Sequence, residues 1–196
     1  EPITGTGPAG VILTIDDDPD GTPQFNFTGG TLHVDTFGFT LEQDGGILDA
    51  GASPGTSQID AYDFNQGTLK VEIEGLVQGS LYDFYDVLGN AALGNDLLAS
   101  PDGPATLEVL TGGWAWTQGQ KYDVLTAADI TIGTDFRFDD WATGGQWVYN
   151  VIPGGRGEIL QLMAVVPEPT TVLIWSLLTS PSAGDDASDR LTTPLR

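Results

Sequence analysis

The sequence predicts an all-β fold, a solenoid, sandwich or barrel of short strands. Two observations lead there. The first is an internal repeat of the form small-Thr-Leu-charged-Val: Gly30-Thr31-Leu32-His33-Val34, Gly67-Thr68-Leu69-Lys70-Val71 and Ala105-Thr106-Leu107-Glu108-Val109. Leu32, Leu69 and Leu107 lie 37 and 38 residues apart, a spacing that suits repeated supersecondary units. Within each copy apolar and polar residues alternate, the period of a half-buried strand. The second observation is punctuation. Gly 27 and Pro 12 make the chain rich in turns, and no stretch beyond about ten residues keeps a clean 3.6 period.

Taken in order, residues 10–15 and 24–27 alternate as strands. Asp16-Asp17-Asp18-Pro19-Asp20-Gly21 separates them. The first repeat copy follows at 30–34, with Gly30 supplying the φ > 0 a turn needs before the strand. Asp44-Gly45-Gly46 and Ser53-Pro54-Gly55 read as turns. Residues 58–64 and the second copy are strands, as are 80–88. Residues 91–99 carry Gly94 and Asn95 in their middle, so they read as loop or a short strand. Pro101-Asp102-Gly103 precedes the third copy. Residues 121–127 and 146–152 are further strands. Pro153-Gly154-Gly155 turns the chain into a weaker fourth copy, Gly157-Glu158-Ile159-Leu160-Gln161-Leu162. The alternation predicts Leu32, Val34, Leu69, Val71, Leu107 and Val109 inside, with Lys70 and Glu108 outside.

Composition bounds the function. The net charge is −22, from 28 acids against 6 Lys and Arg. Nucleic acid is thereby excluded as a partner, because counterion release needs clustered cations. Docking on anionic lipid is disfavoured for the same reason. An apolar fraction of 40% with only 17% charged residues still supports a packed core rather than disorder. Cysteine is absent, so disulfide staples, thiol nucleophiles and Cys-zinc sites are excluded. The longest apolar run, about seven residues, is far short of the roughly 20 that span a bilayer. The chain starts at Glu1 rather than Met, which reads as a processed chain or a fragment.

Five groups of residues invite chemistry. Asp16, Asp18 and Asp20 before Gly21 match the D-x-D-x-D-G opening of a calcium loop, which gathers hard oxygens on one centre. The twelfth position is Phe27 instead of the closing acid, and a solvated acidic turn is the competing reading. Calcium is the one cofactor the residues suggest. His33, the only histidine, lies between Leu32 and Val34 and so points to the opposite face, as an exposed strand residue. Glu72 and Glu74 share a strand face with Lys70. Paired acids of this kind are what glycoside cleavage uses at about 5–10 Å. Trp114, Trp116 and Trp141 are candidates for stacking on sugar rings, as aromatic faces do; packing into the core or capping it is the alternative. Asn26-Phe27-Thr28 fits a glycosylation sequon. No Gly-x-Ser-x-Gly elbow accompanies His33, and no motif specifies a reaction.

The C-terminal region carries a different kind of signal. Val166-Pro167-Glu168-Pro169-Thr170-Thr171 is followed by the apolar run Val172-Leu173-Ile174-Trp175-Ser176-Leu177-Leu178. Pro167, Glu168 and Pro169 before a hydrophobic run resemble the PEP-CTERM sorting signal of bacterial exported proteins. The run breaks at Thr179-Ser180-Pro181, and only Arg190 and Arg196 are basic beyond it, where the family has a longer apolar helix and an Arg-rich end. The body resembles the same class. Residues 47–56 (ILDAGASPGT), the strand 64–73, Tyr82-Asp83, and Gly119-Gln120-Lys121-Tyr122-Asp123-Val124-Leu125-Thr126-Ala127 with Gly133-Thr134-Asp135-Phe136 are similar to autotransporter-like β-solenoid proteins that bear this signal. The resemblance spans residues 29–169.

That resemblance implies a right-handed parallel β-solenoid, or β-helix, as the body; a two-sheet sandwich or jelly roll remains the alternative from periodicity. It implies no catalytic residues. Residues 1–165 are then the all-β body. Residues 166–196 are the sorting-like segment and a tail too poor in apolar surface to order itself. The expected protein is exported, acts structurally or adhesively in the cell envelope or extracellular matrix, and meets export or sorting machinery and extracellular polysaccharide. The alternative is a sugar-binding or sugar-cleaving all-β module.

Overall fold

The computed structural model of the chain describes residues 3–6, 12–17, 23–51, 54–95, 103–139 and 147–165. Regular structure among them is entirely β. The chain divides into Glu1–Val166 and Pro167–Arg196, and every described residue belongs to the first. The expected sorting-like segment and tail, residues 166–196, lie outside the described residues.

Strands β1 (Ile3–Thr6), β2 (Ile12–Asp17) and β3 (Pro23–Phe27) form an antiparallel meander. From there pairing turns parallel. The next strands are β4 (Thr31–Val34), β5 (Thr36–Ala50), β6 (Thr56–Glu72), β7 (Phe84–Val87) and β8 (Ala91–Leu93). They are followed by β9 (Ala105–Leu110), β10 (Lys121–Ala127), β11 (Ile130–Ile132) and β12 (Arg137–Asp139). The last two, β13 (Trp147–Gly154) and β14 (Gly157–Ala164), form an antiparallel hairpin whose β14 also pairs with β10. All fourteen belong to one mixed sheet.

Three in-register parallel rows organise the middle of the chain. One runs Thr36, Gln58, Asp86, Thr126. The second runs Phe25, Leu41, Tyr62, Ala91, Ile130. The third runs Leu32, Leu48, Leu69, Leu107, Phe138. The long strands β5 and β6 contribute to all three by bending. Asp44-Gly45-Gly46 is such a bend inside β5, marked by a register shift, where the sequence predicts a turn between strands. The corner needs glycine. Gly67 has φ +95, and a Cβ there would lie 2.5 Å from the Gly46 carbonyl oxygen. A Cβ on Gly46 would meet the Phe27 ring at 2.6 Å. Successive turns of chain approach here closer than any side chain allows.

The second and third repeat copies pair directly, Leu69 with Leu107 and Val71 with Val109. All four side chains are fully buried, as the alternation predicts. Leu32 and Val34 are only half-buried. Their strand, β4, pairs with β5 alone among the described residues. The weaker fourth copy is a different element. Residues 157–162 lie in β14, which pairs antiparallel with β10 and β13, whereas the other three copies pair parallel. A short alternating pattern states which face is buried; it does not state the neighbour's direction.

One hydrophobic cluster fills the interior, with Tyr62, Tyr85, Tyr122, Phe27 and Phe64 among its largest fully buried members. The β13–β14 hairpin packs onto it. Trp147 lies 5.4 Å from both Trp116 and Tyr122, centroid to centroid. Tyr149 stands at 5.5 Å from Phe136 and 5.6 Å from Phe138.

Candidate functional site

Ionisable groups converge on the outer side of the third row. In β6, Leu69 and Val71 point into the core, as does Ile73 just beyond its end, so alternation turns Lys70 and Glu72 the other way. Asp49 follows core Leu48 in β5 and is the Cα neighbour of His33 in β4. Asp83 arrives from the turn that precedes β7. Beside it the chain is held by a bridge between Ile73 and Tyr82.

The Lys70 Nζ lies 2.8 Å from Asp49 Oδ2 and 2.7 Å from Glu72 Oε1. Burial alone pulls the ammonium pKa down. Hydrogen bonds to Asp49 and Glu72, and their charges, outweigh that and hold it above the ordinary lysine value. The Tyr85 hydroxyl donates to the Lys70 carbonyl at 2.6 Å, which steadies the backbone beneath the ammonium.

Asp83 is fully buried. Its Oδ1 accepts the Gly55 N–H at 2.8 Å and its Oδ2 accepts the Glu72 N–H at 2.7 Å. Burial pushes its carboxyl up to about 7. The two N–H bonds oppose the shift, and the negative charges of Asp49 and Glu72 add to it. The side chain ties Gly55, just before β6, to the end of β6.

Asp49 is 3% exposed. Lys70 approaches its Oδ2, and His33 Nδ1 stands 3.5 Å from the same oxygen. Its Oδ1 is buried without a hydrogen-bond partner among the described residues. Single carboxylate oxygens of Asp49, Glu72 and Asp83 all lie within 4.8 Å of one another. Glu72 also lines a solvent-open recess with Glu74, Thr111, Gly112 and Gly113. Three acids and one ammonium therefore share one place, with a carboxyl that changes charge near neutrality. Such a group can hold a cation or a proton.

The residues singled out in the sequence are dispersed. Asp16 is on β2 opposite Gln24, with its side chain outside the description; Asp18 and Asp20 lie outside the described residues, as do Trp141, Pro167, Glu168 and Pro169. Trp114 and Trp116 are half-buried and pack against the core. His33 is exposed, as its position between Leu32 and Val34 implies. Glu72 and Glu74 line one recess; Glu72 also binds Lys70, and Glu74 is exposed beyond the end of β6. Asn26 of the sequon sits within β3 and donates to Asp44 at 2.8 Å, not on a free loop.

Sequence reasoning missed Asp49 and Asp83. Tyr82-Asp83 was visible as a motif, but nothing local reveals a buried acid. No helix among the described residues is long and apolar enough to cross a membrane. No family profile, curated protein or solved structure matches the chain.

Proposed function

We propose that this chain is the β-solenoid body of an exported bacterial protein, structural or adhesive in role, working in the cell envelope or extracellular matrix without catalysis. The observation that carries the reading is the set of three parallel rows in register, four to five strands deep. Chain returning repeatedly to the same row by parallel crossovers is the habit of a solenoid, and such crossovers are right-handed in nearly all proteins. Stacked units of this kind bury a common core and leave long outer faces for contact. The acidic exterior keeps such an array soluble and repels nucleic acid and anionic lipid.

Pro167-Glu168-Pro169 supplies the address in this reading. The test is fractionation of the producing bacterium, with the native chain compared with a Pro167→Ala, Glu168→Ala, Pro169→Ala variant. Native protein is expected in the envelope or extracellular fraction and the variant is expected to be mislocalised. Native protein confined to the cytoplasm would refute the reading. Pull-down by extracellular polysaccharide tests the adhesive part. A sugar module built on Trp114 and Trp116 would need those rings turned outward, whereas both pack on the core.

A further inference from the structure

We propose that Asp49, Glu72 and Asp83 form a calcium site in which the ion exchanges with the ammonium of Lys70. The inference stands on the cluster's geometry and does not depend on export or adhesion.

Hard oxygens suit a hard cation, and calcium bonds to them at about 2.3–2.6 Å. Two oxygens on opposite sides of such an ion are therefore up to about 5 Å apart. The three carboxylates each offer an oxygen, and these lie within 4.8 Å of one another, so side-chain adjustment of a few tenths of an ångström lets one ion bridge all three. Magnesium, with octahedral bonds of about 2.0–2.1 Å, demands a tighter and more regular set.

The second observation is the unused oxygen of Asp49. The residue is 3% exposed, and both Lys70 and His33 approach Oδ2. Oδ1 has no partner among the described residues. A buried carboxylate oxygen without a partner costs free energy, and this carboxylate offers an oxygen within 4.8 Å of the other two acids. A single ammonium does not balance the negative charge of the cluster. Lys70 is a flexible point charge whose side chain is 19% exposed, so it has a route to water. The recess lined by Glu72 and Glu74 opens one of the three acids to solvent, and water there completes the coordination shell.

Competition between ion and ammonium makes the proposal testable in both directions. The full chain, freed of metal by chelation, would be titrated with calcium by isothermal titration calorimetry. Lys70→Gln removes the resident charge and is expected to tighten binding at least tenfold. Asp49→Asn is expected to weaken it at least tenfold. The triple variant Asp16→Asn, Asp18→Asn, Asp20→Asn should leave this binding event in place, which separates it from any ion held near β2. Magnesium should bind at least tenfold more weakly than calcium. Lys70→Gln binding no more tightly than the native chain would overturn the proposal. So would loss of the event in the triple variant, or equal affinity for magnesium, which marks general acidic screening. Circular dichroism checks folding; should Asp49→Asn not fold, the Lys70→Gln comparison decides alone.

Discussion

Asp83 is a carboxyl placed where charge is expensive, and that has a consequence for stability. Its folded-state pKa is about 7 against an ordinary 3.8. Between those values the folded chain holds a proton that the unfolded chain releases. Stability therefore falls as pH rises from about 4 to about 7 and stays lower above, by an amount on the order of 2–4 kcal/mol. Urea denaturation of metal-free protein at pH 5 and pH 8 measures it. In Asp83→Asn the difference attributable to this group should vanish. The variant should also be less stable at pH 5 by about 1–3 kcal/mol, because one amide oxygen cannot accept both the Gly55 and Glu72 N–H groups. A steeper pH dependence in the variant would contradict the assignment. Lys70 presents the opposite case. Replacing it with Met leaves the buried Asp49 without its ammonium, and the expected loss is about 3 kcal/mol at pH 7. An unchanged denaturation midpoint would mean that the pair contributes nothing net.

At the scale of strands, direction and register are the claims most open to test. Thr68 and Thr106 are Cα neighbours on parallel β6 and β9. The chain has no cysteine, so a Thr68→Cys, Thr106→Cys pair introduces the only two thiols. They are expected to form an intramolecular disulfide under mild oxidation, since adjacent strands bring Cβ atoms near bonding range. Moving the second thiol one residue on, as Thr68→Cys with Leu107→Cys, should prevent the crosslink. Leu107 points into the core, and a one-residue step sends the side chain to the opposite face from Thr68. Free thiols persisting in the first pair after oxidation would contradict this register. The corner between rows makes a second claim. Gly67→Ala forces a side chain onto φ +95 and against the Gly46 carbonyl. The expected cost is about 2 kcal/mol or more, whereas Gly29→Ala, with open space around it, should cost little.

For the molecule as a whole, the excess of 28 acids over 6 cationic side chains acts as self-repulsion. Screening relieves it, since the Debye length shrinks from about 30 Å at 0.01 M to about 8 Å at 0.15 M salt. The melting temperature is therefore expected to rise with sodium chloride over that range, and a fall would show that ion pairs such as Lys70 with Asp49 and Glu72 dominate instead. The pairing pattern also concentrates stability unevenly. In the second and third rows β5 and β6 are paired on both sides, while among the described residues β4 pairs with β5 alone and Leu32 and Val34 are half-buried.

The sequence alone determined the class of structure and the inner face of its best repeats. Alternation in Gly67-Thr68-Leu69-Lys70-Val71 and Ala105-Thr106-Leu107-Glu108-Val109 placed Leu69, Val71, Leu107 and Val109 inside, and the same rule turned His33 outward. Those properties are local, because a strand's two faces follow from a period of two residues. Tertiary structure alone decided that residues 157–162 run antiparallel although the other copies of the repeat pair parallel, and that β5 continues through Asp44-Gly45-Gly46. It also decided that Asp49, Lys70, Glu72 and Asp83 meet. Each of these depends on which distant segment lies alongside and in what register, and burial of Asp83 depends on chain that covers it from both Gly55 and Glu72. A carboxylate's neighbours, and hence its charge, are set by that long-range stacking, about which a period of two carries no information.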